Sequence, residues 1–255
     1  MNIISGFAEI SLVQLLLVAG MALFAAVVGG LAGYGTGALM PLVLVPLIGA
    51  EPVVPIIVIS SIFTNLSRAT AYRRYTDRHR ALMVVAAAAL TTVLGAYGYT
   101  RLTNAGAALV IGAMLISSVP LRRLLKRREI RLGDAGLAAS AVGYGVVVGG
   151  TVGAGVILLS LLMAAGLEGA AVIATDAMIS VGISIIKISV FGLAGIVTAQ
   201  VLAFALLIGA IALPGAFLAR AFVERMPVHI HTAILDVVVI AGGVVMISSA
   251  ARQLL

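Results

Sequence analysis

Residues 29–35 read Gly-Gly-Leu-Ala-Gly-Tyr-Gly, and residues 149–155 read Gly-Gly-Thr-Val-Gly-Ala-Gly. The two clusters share one glycine spacing, and both lie inside apolar segments. A helix with this glycine density does not stay regular. At membrane depth, irregular backbone is tolerated only where it is buried in protein or lines a cavity. A duplicated interruption of this kind is the usual sign of the binding site in a transporter built from two repeats.

The composition is that of a membrane protein. Of the 255 residues, 62% are hydrophobic and 10% are charged. Residues 52–67 and 81–100 carry no charge at all. Apolar stretches of about 18 residues or more are long enough for membrane-spanning helices. We therefore predict an all-α, polytopic membrane protein, with the lipid bilayer as one of its partners. The absence of cysteine excludes disulfides, thiolate metal sites and thiol nucleophiles.

The basic residues are concentrated in two short loops. The first loop holds Arg73, Arg74, Arg78 and Arg80, and the second holds Arg122, Arg123, Lys126, Arg127, Arg128 and Arg131. Basic clusters that flank membrane helices stay cytoplasmic and contact anionic lipid. Two apolar segments, 81–100 and 105–121, separate the loops, so both loops are expected on the cytoplasmic side. The net charge of +7 is thereby explained without a nucleic-acid partner.

The apolar segments divide the chain into two similar halves. The segments are 9–33, 36–50, 53–72, 81–100, 105–121, 134–150, 154–167, 169–191, 196–219 and 228–250. The predicted domains are a first transmembrane repeat over 1–121, a cytoplasmic basic linker over 122–133 and a second repeat over 134–255.

Each glycine cluster is interpreted as the bend of a helical hairpin. As one helix, residues 9–50 would be ~60 Å long, twice the ~30 Å hydrocarbon core. If each hairpin returns to its starting side, three further crossings give each half an odd number of passes. The halves then form an inverted repeat of eight to ten membrane helical segments. If each interrupted pair is instead a single pass, Arg220 and Arg225 move to the outside.

The bends and the helices that follow them hold the candidate substrate site. A helix start offers free N–H groups and partial positive charge to an anion. Ser61, Thr64 and Asn65 share one helix face, as do Asp176, Ser180, Ser184 and Lys187. Close packing through small residues is the alternative for the glycines, and interhelical hydrogen bonding is the alternative for the polar faces. The predicted substrate-binding residues are Gly33, Tyr34, Gly35, Thr36, Gly37, Ser61, Thr64, Asn65, Thr151, Gly153, Gly155, Thr175 and Lys187.

Asp176 and Lys187 are ionisable groups within a spanning segment, which marks them as functional candidates. Asp176 is predicted to carry a coupling proton, or alternatively to pair with a cation or a neighbouring Arg. Lys187 is expected either to attract the anion or to reach the outer interface. Arg68 is expected to reach the cytoplasmic interface, and Glu51 lies at a helix start.

No catalytic, cofactor or metal site is predicted. His229, His231 and Asp236 could suggest a metal site, but residues two apart on a helix point to different faces, and no fourth ligand is near in sequence. The chain has no P-loop, no Gly-x-Ser-x-Gly and no His-Glu-x-x-His motif. We therefore expect neither an ATP-driven pump nor a membrane hydrolase.

The segment Gly33-Tyr-Gly-Thr-Gly-Ala-Leu-Met-Pro41, with the Gly49-x-x-Pro52 turn and the polar helix after it, resembles the TauE/SafE family. The second half repeats this pattern with Gly149 to Gly155 and with Ala174-Thr175-Asp176-Ala177. The resemblance covers nearly the whole chain. It implies secondary transport of sulfite, sulfonates or related small anions across the bacterial cytoplasmic membrane.

The leading prediction is a proton-coupled, alternating-access transporter of small sulfur-containing anions, with no cofactor. An anion channel that uses the glycine-rich breaks as a filter is the alternative. A membrane enzyme or assembly subunit is a third class, but it would need catalytic groups clustered at one depth. The transported anion, the transport direction and any homo-oligomer stay open.

Overall fold

The fold consists of α-helices throughout the described chain. The computed structural model describes residues 6–7, 10–32, 35–127, 131–223 and 228–254. The helices are α1 (Leu12–Ala32), α2 (Gly35–Ile48), α3 (Val53–Ala71), α4 (Arg78–Tyr99), α5 (Asn104–Arg127), α6 (Asp134–Gly150), α7 (Gly155–Ala164), α8 (Ala170–Leu193), α9 (Ala199–Val223) and α10 (Val228–Leu254). They follow the predicted apolar segments closely, except that α5 continues into the predicted basic linker.

Four helices are long and apolar enough to cross a membrane, counted over the parts of the chain that the structure describes. They are α3, α4, α5 as far as Leu121, and α8. Large apolar side chains such as Leu12, Leu90 and Leu193 are exposed on the outside of the bundle. Exposed apolar surface of this extent marks contact with lipid. The predicted all-α, polytopic membrane class is therefore confirmed.

At each end of the bundle, side-chain contacts join the ends of neighbouring helices and the loops between them. At the first end, Arg80 Nε lies 3.0 Å from Asp134 Oδ1, which joins the start of α4 to the start of α6. The first basic loop and the residues just after the second thus lie together, and we call this the basic end; its cytoplasmic location stays a prediction. At the opposite end, the Tyr99 hydroxyl donates to the Ala50 carbonyl at 2.8 Å. Asn104 Oδ1 accepts from the Ala50 N–H at the same end.

Helices α2 and α7 start beside each other and run to opposite ends. A Cβ atom on Gly37, in the first turn of α2, would lie 2.9 Å from the Gly153 nitrogen, just before α7. Helix α2 ends beside Ala50, at the opposite end. Helix α7 ends at the basic end, where the Leu132 N–H donates to the Ala164 carbonyl at 2.8 Å. At ~21 Å and ~15 Å long, neither helix crosses a ~30 Å hydrocarbon core.

The helix pairing is the same when the two halves are exchanged. Helix α1 packs on α9 as α6 packs on α4, and α3 packs on α9 as α8 packs on α4. Two further pairs join helices at the same place in each half, α3 with α8 and α5 with α10. Helix α1 also packs on α2, as α6 does less extensively on α7. The pattern of helix contacts is thus similar for α1–α5 and α6–α10.

Glycines bring α4 and α6 into close contact. A Cβ atom on Gly149 would lie 2.4 Å from the Thr92 carbonyl oxygen, and one on Gly95 would lie 2.3 Å from the Val146 oxygen. Gly145 lies one turn before Gly149 and faces the Ala88 carbonyl in the same way. This is packing through small residues, the alternative considered for the glycine clusters. This packing accounts for Gly149, at the start of the second cluster. It does not account for Gly153 and Gly155, at the end of the cluster.

Substituting Gly149 by alanine tests this packing, with Gly143→Ala as the matched control on the exposed face of α6. Alanine normally favours a helix by about 1 kcal/mol over glycine. At Gly149 the added methyl meets backbone of α4, and overpacking costs about 1–3 kcal/mol. At Gly143 nothing lies within 4 Å. We expect a lower melting temperature in detergent for Gly149→Ala, and an unchanged or higher one for Gly143→Ala. Equal values for the two variants would contradict the packing.

Candidate substrate site

A cavity of about 130 Å³ lies where the starts of α2 and α7 meet the polar faces of α3 and α8. A buried water needs only about 10–15 Å³ of such space, so the cavity has room for a small hydrated anion. Its polar and glycine lining residues are Thr36, Gly37, Ser61, Thr64, Asn65, Arg68, Tyr144, Thr151, Gly153, Gly155, Ser180, Ser184 and Lys187. Ala25, Val148 and other apolar residues complete the wall.

The structure brings most of the sequence-predicted residues to this one cavity. The nine that line it are Thr36, Gly37, Ser61, Thr64, Asn65, Thr151, Gly153, Gly155 and Lys187. Gly35 is the first residue of α2, whereas Gly33 and Tyr34 lie outside the described residues. Thr175 and Asp176 do not line the cavity. Binding of substrate by any of these residues stays a prediction.

The break between α6 and α7 has a backbone that only glycine adopts freely. Thr151 is extended, with φ of −151° and ψ of −172°, and ends α6. Gly153 has a φ of +83°, in the left-handed region. Helix α7 then begins at Gly155 with no side chain capping its first N–H groups. The Ile157 N–H bonds to the Ala154 carbonyl, and the uncapped start of α7 at Gly155 lies in the cavity wall.

Lys187 satisfies the carbonyls left free at the end of α6. Its Nζ donates to the Thr151 carbonyl at 2.8 Å and also to the Val148 carbonyl. The side chain is buried, and Lys187 lies ~18 Å along α8 from Thr175 at ~1.5 Å per residue. The expectation that Lys187 reaches the outer interface is thus wrong. A cation at a helix C-terminus compensates the negative end of the helix dipole. Two of the three ammonium hydrogens are used, so one is left for the cavity.

The hydroxyl groups of α3 bond to their own helix. Ser61 Oγ donates to the Val58 carbonyl at 2.8 Å, and Thr64 Oγ1 donates to the Ser61 carbonyl at 3.0 Å. A hydroxyl group can rotate to donate elsewhere when a better acceptor arrives. Asn65 accepts from Arg68 through Oδ1, which leaves its amide hydrogens as donors.

Arg68 and Asp176 form an ion pair between the two halves. Arg68 Nη2 lies 2.8 Å from Asp176 Oδ2, and the two side chains are 12% and 2% exposed. Sequence reasoning placed Arg68 at the interface, and this is wrong, because the guanidinium turns inward to the carboxylate. Of the alternatives for Asp176, pairing with an arginine is the one seen. Spacing could have found Arg68, since it lies seven residues after Ser61 and four after Thr64, on the same helix face.

Thr175 accepts a hydrogen bond that joins two elements at the basic end of the bundle. Its Oγ1 accepts from the Asp77 N–H at 3.0 Å, and Asp77 in turn caps α4 by accepting from the Arg80 N–H. Thr175 is fully buried. The residue therefore fixes the loop before α4 to the start of α8. This contact, with the ion pair beside it, ties α3 and α4 to α8.

The charged side chains that line the cavity in the described chain are basic, and one of them, Arg68, is paired with Asp176 outside the lining. Among the described residues that line it, the charged side chains are Arg68 and Lys187, both cations. Away from bulk water, a charge acts on its neighbours through a lower effective dielectric constant than in solution. A cavity with two cations, hydroxyl groups and free helix N–H groups suits a small oxyanion.

The fold and the cavity define a class, that of multi-pass helical membrane proteins with a polar site between interrupted helices. The family model described as "Sulfite exporter TauE/SafE" matches residues 18–246. The chain therefore belongs to the TauE/SafE family, which is a family of membrane transporters and not of enzymes. Searches of curated proteins and of solved structures found no match.

Replacing Lys187 by methionine tests its role at the helix break. Methionine has nearly the same length but donates no hydrogen bond, so the Val148 and Thr151 carbonyls lose a partner. An unsatisfied buried polar group costs about 1–3 kcal/mol. We expect a clearly lower melting temperature in detergent for Lys187→Met. Ser189→Ala, on the exposed side of α8, is the control and should leave it unchanged. A Lys187→Met protein as stable as the control would show that the carbonyls do not need the ammonium.

Proposed function

We propose that the chain is a secondary carrier of a small sulfur-containing oxyanion, sulfite or a small sulfonate, in the bacterial cytoplasmic membrane. The observation that carries the proposal is the cavity between α2 and α7, whose charged lining residues in the described chain are both cations. Its volume of about 130 Å³ suits a small anion better than a large organic molecule. The family description names sulfite export, and sulfite has the negative charge and the small size that the cavity suits.

Alternating access is the second part of the proposal. Helices α2 and α7 leave their shared contact in opposite directions, and the helix pairing is equivalent in the two halves. These observations support an inverted repeat, in which the two halves have opposite orientations in the membrane. In such a carrier, one half rocks against the other around a fixed central site. The cavity then opens first to one side of the membrane and then to the other.

Coupling to protons is assigned to Asp176 in this proposal. Its carboxylate is buried, and one of its oxygens binds Arg68 across the interface between halves. A proton on Asp176 would remove the charge that holds Arg68 in place. An interaction between halves that depends on protonation provides a link between the proton gradient and the rocking motion.

Counterflow in proteoliposomes tests the transport function. Vesicles loaded with unlabelled sulfite, or with one of a small panel of sulfonates, are diluted into the radiolabelled anion at two internal pH values. A carrier exchanges labelled for unlabelled anion, so we expect transient accumulation of label in loaded vesicles and none in unloaded ones. A conductance without exchange would indicate an anion channel instead. Absence of both would contradict the proposal.

The Asp176→Asn variant tests the coupling in the same vesicles. We expect it to lose net sulfite movement driven by a pH gradient while it still exchanges sulfite, because asparagine does not titrate. Arg101→Gln, an exposed substitution at the opposite end, is the control and should keep both activities. Net transport by Asp176→Asn that follows the pH gradient as before would remove Asp176 from the coupling step.

A further inference from the structure

Arg68 holds hydrogen-bonding capacity that the ion pair does not use. Its Nη2 binds Asp176 Oδ2 at 2.8 Å, and its Nη1 binds Asn65 Oδ1 at 3.2 Å. Its Nε is buried and has no hydrogen-bond partner. A buried donor without a partner is costly, and native proteins leave few of them. Because Arg68 lines the cavity, an anion bound there is a candidate for the hydrogen-bond acceptor that Nε lacks.

Asp176 is held to Arg68 by one contact only. Its Oδ1 is buried and also lacks a partner, although a carboxylate and a guanidinium can pair through two parallel hydrogen bonds. The pair therefore falls short of the fork geometry that makes such contacts strong. Asp176 itself does not line the cavity. Arg68 thus contacts the Asp176 carboxylate and also lines the cavity, where an anion has room.

We infer that Arg68 is a substrate-binding residue, and that the transported oxyanion competes with Asp176 for its guanidinium. The inference rests on the proposed function and names a residue that determines how the anion is held. An oxyanion with two or more oxygens can accept from Nε and Nη2 together, as carboxylates and phosphates do. Binding in this way supplies Nε with its acceptor and takes Nη2 from Asp176. Because α3 carries Arg68 and α8 carries Asp176, the exchange of partners loosens one contact between the halves when substrate binds.

A purely structural ion pair would behave differently from this competition. Removing either member of a structural pair leaves a buried charge unpaired, so both single variants would harm the protein alike. Removing both members would then restore it. Competition predicts that the two single variants have opposite effects on anion affinity, and that the double variant does not recover affinity.

The experiment measures binding of radiolabelled sulfite to the purified full chain in detergent, at one pH and one salt concentration. The variants are Arg68→Gln, Arg68→Lys, Asp176→Asn and the double variant Arg68→Gln/Asp176→Asn, with Arg101→Gln as the control. We expect Arg68→Gln to weaken binding by about tenfold or more, the loss of a charge-assisted hydrogen bond. Arg68→Lys keeps the positive charge but loses the two parallel N–H donors of the guanidinium. Its sulfite affinity should lie between those of Arg68→Gln and the original protein. Asp176→Asn should bind sulfite more tightly than the original protein, because asparagine competes less well for the guanidinium.

If a single variant does not fold, the double variant distinguishes competition from a purely structural ion pair, because it leaves neither charge unpaired. Weak sulfite binding by a double variant with restored thermal stability supports the inference. Sulfite affinity restored in the double variant, or lowered equally by Arg68→Gln and Asp176→Asn, would overturn it and leave the proposed function standing. If the original protein binds neither sulfite nor any sulfonate of the panel, the proposed function fails, and the inference fails with it.

Discussion

Backbone groups at a helix break cannot stay unpaired in the interior of a membrane protein, and the rest of the structure depends on how this chain meets that constraint. At the end of α6, the Lys187 ammonium takes the two carbonyls of Val148 and Thr151. At the start of α7, Ala154 provides no side-chain cap, and Gly155 lines the cavity. The carbonyl end of the break is thus satisfied by protein, and we propose that a ligand meets the N–H end. An anion is the kind of ligand that such an end binds.

Glycine has two different uses in the second cluster, and together they set the position of the cavity. Gly149 allows α6 to pack against the α4 backbone, which holds the break in place from one side. Gly153 takes a left-handed conformation, and Gly155 lies in the cavity wall, where the chain turns into α7. The same spacing in sequence therefore serves helix packing at its start and site formation at its end. The contact between Gly37 and Gly153 then brings the start of α2 to the break between α6 and α7.

The sequence was sufficient to predict the helices, the breaks and the polar faces, because apolar runs and glycine density are local properties. Ser61, Thr64 and Asn65 could be grouped because helical spacing puts them on one face. The partners of Lys187 and of Arg68 could not be assigned, since they come from helices far away in sequence. Nor could the different uses of Gly149 and Gly155 be separated, because only the packing of α4 distinguishes them. Thr175 was predicted to bind substrate, yet it holds the loop before α4.

We propose that the anion binds between the starts of α2 and α7. Selenite has the charge and shape of sulfite, and its selenium scatters X-rays anomalously. Crystals of the protein grown with selenite would therefore locate the anion directly in an anomalous difference map. We expect one strong selenium peak in the cavity, within hydrogen-bonding distance of Arg68 and beside the start of α7. A peak elsewhere, or an empty cavity in a protein that transports selenite, would contradict it.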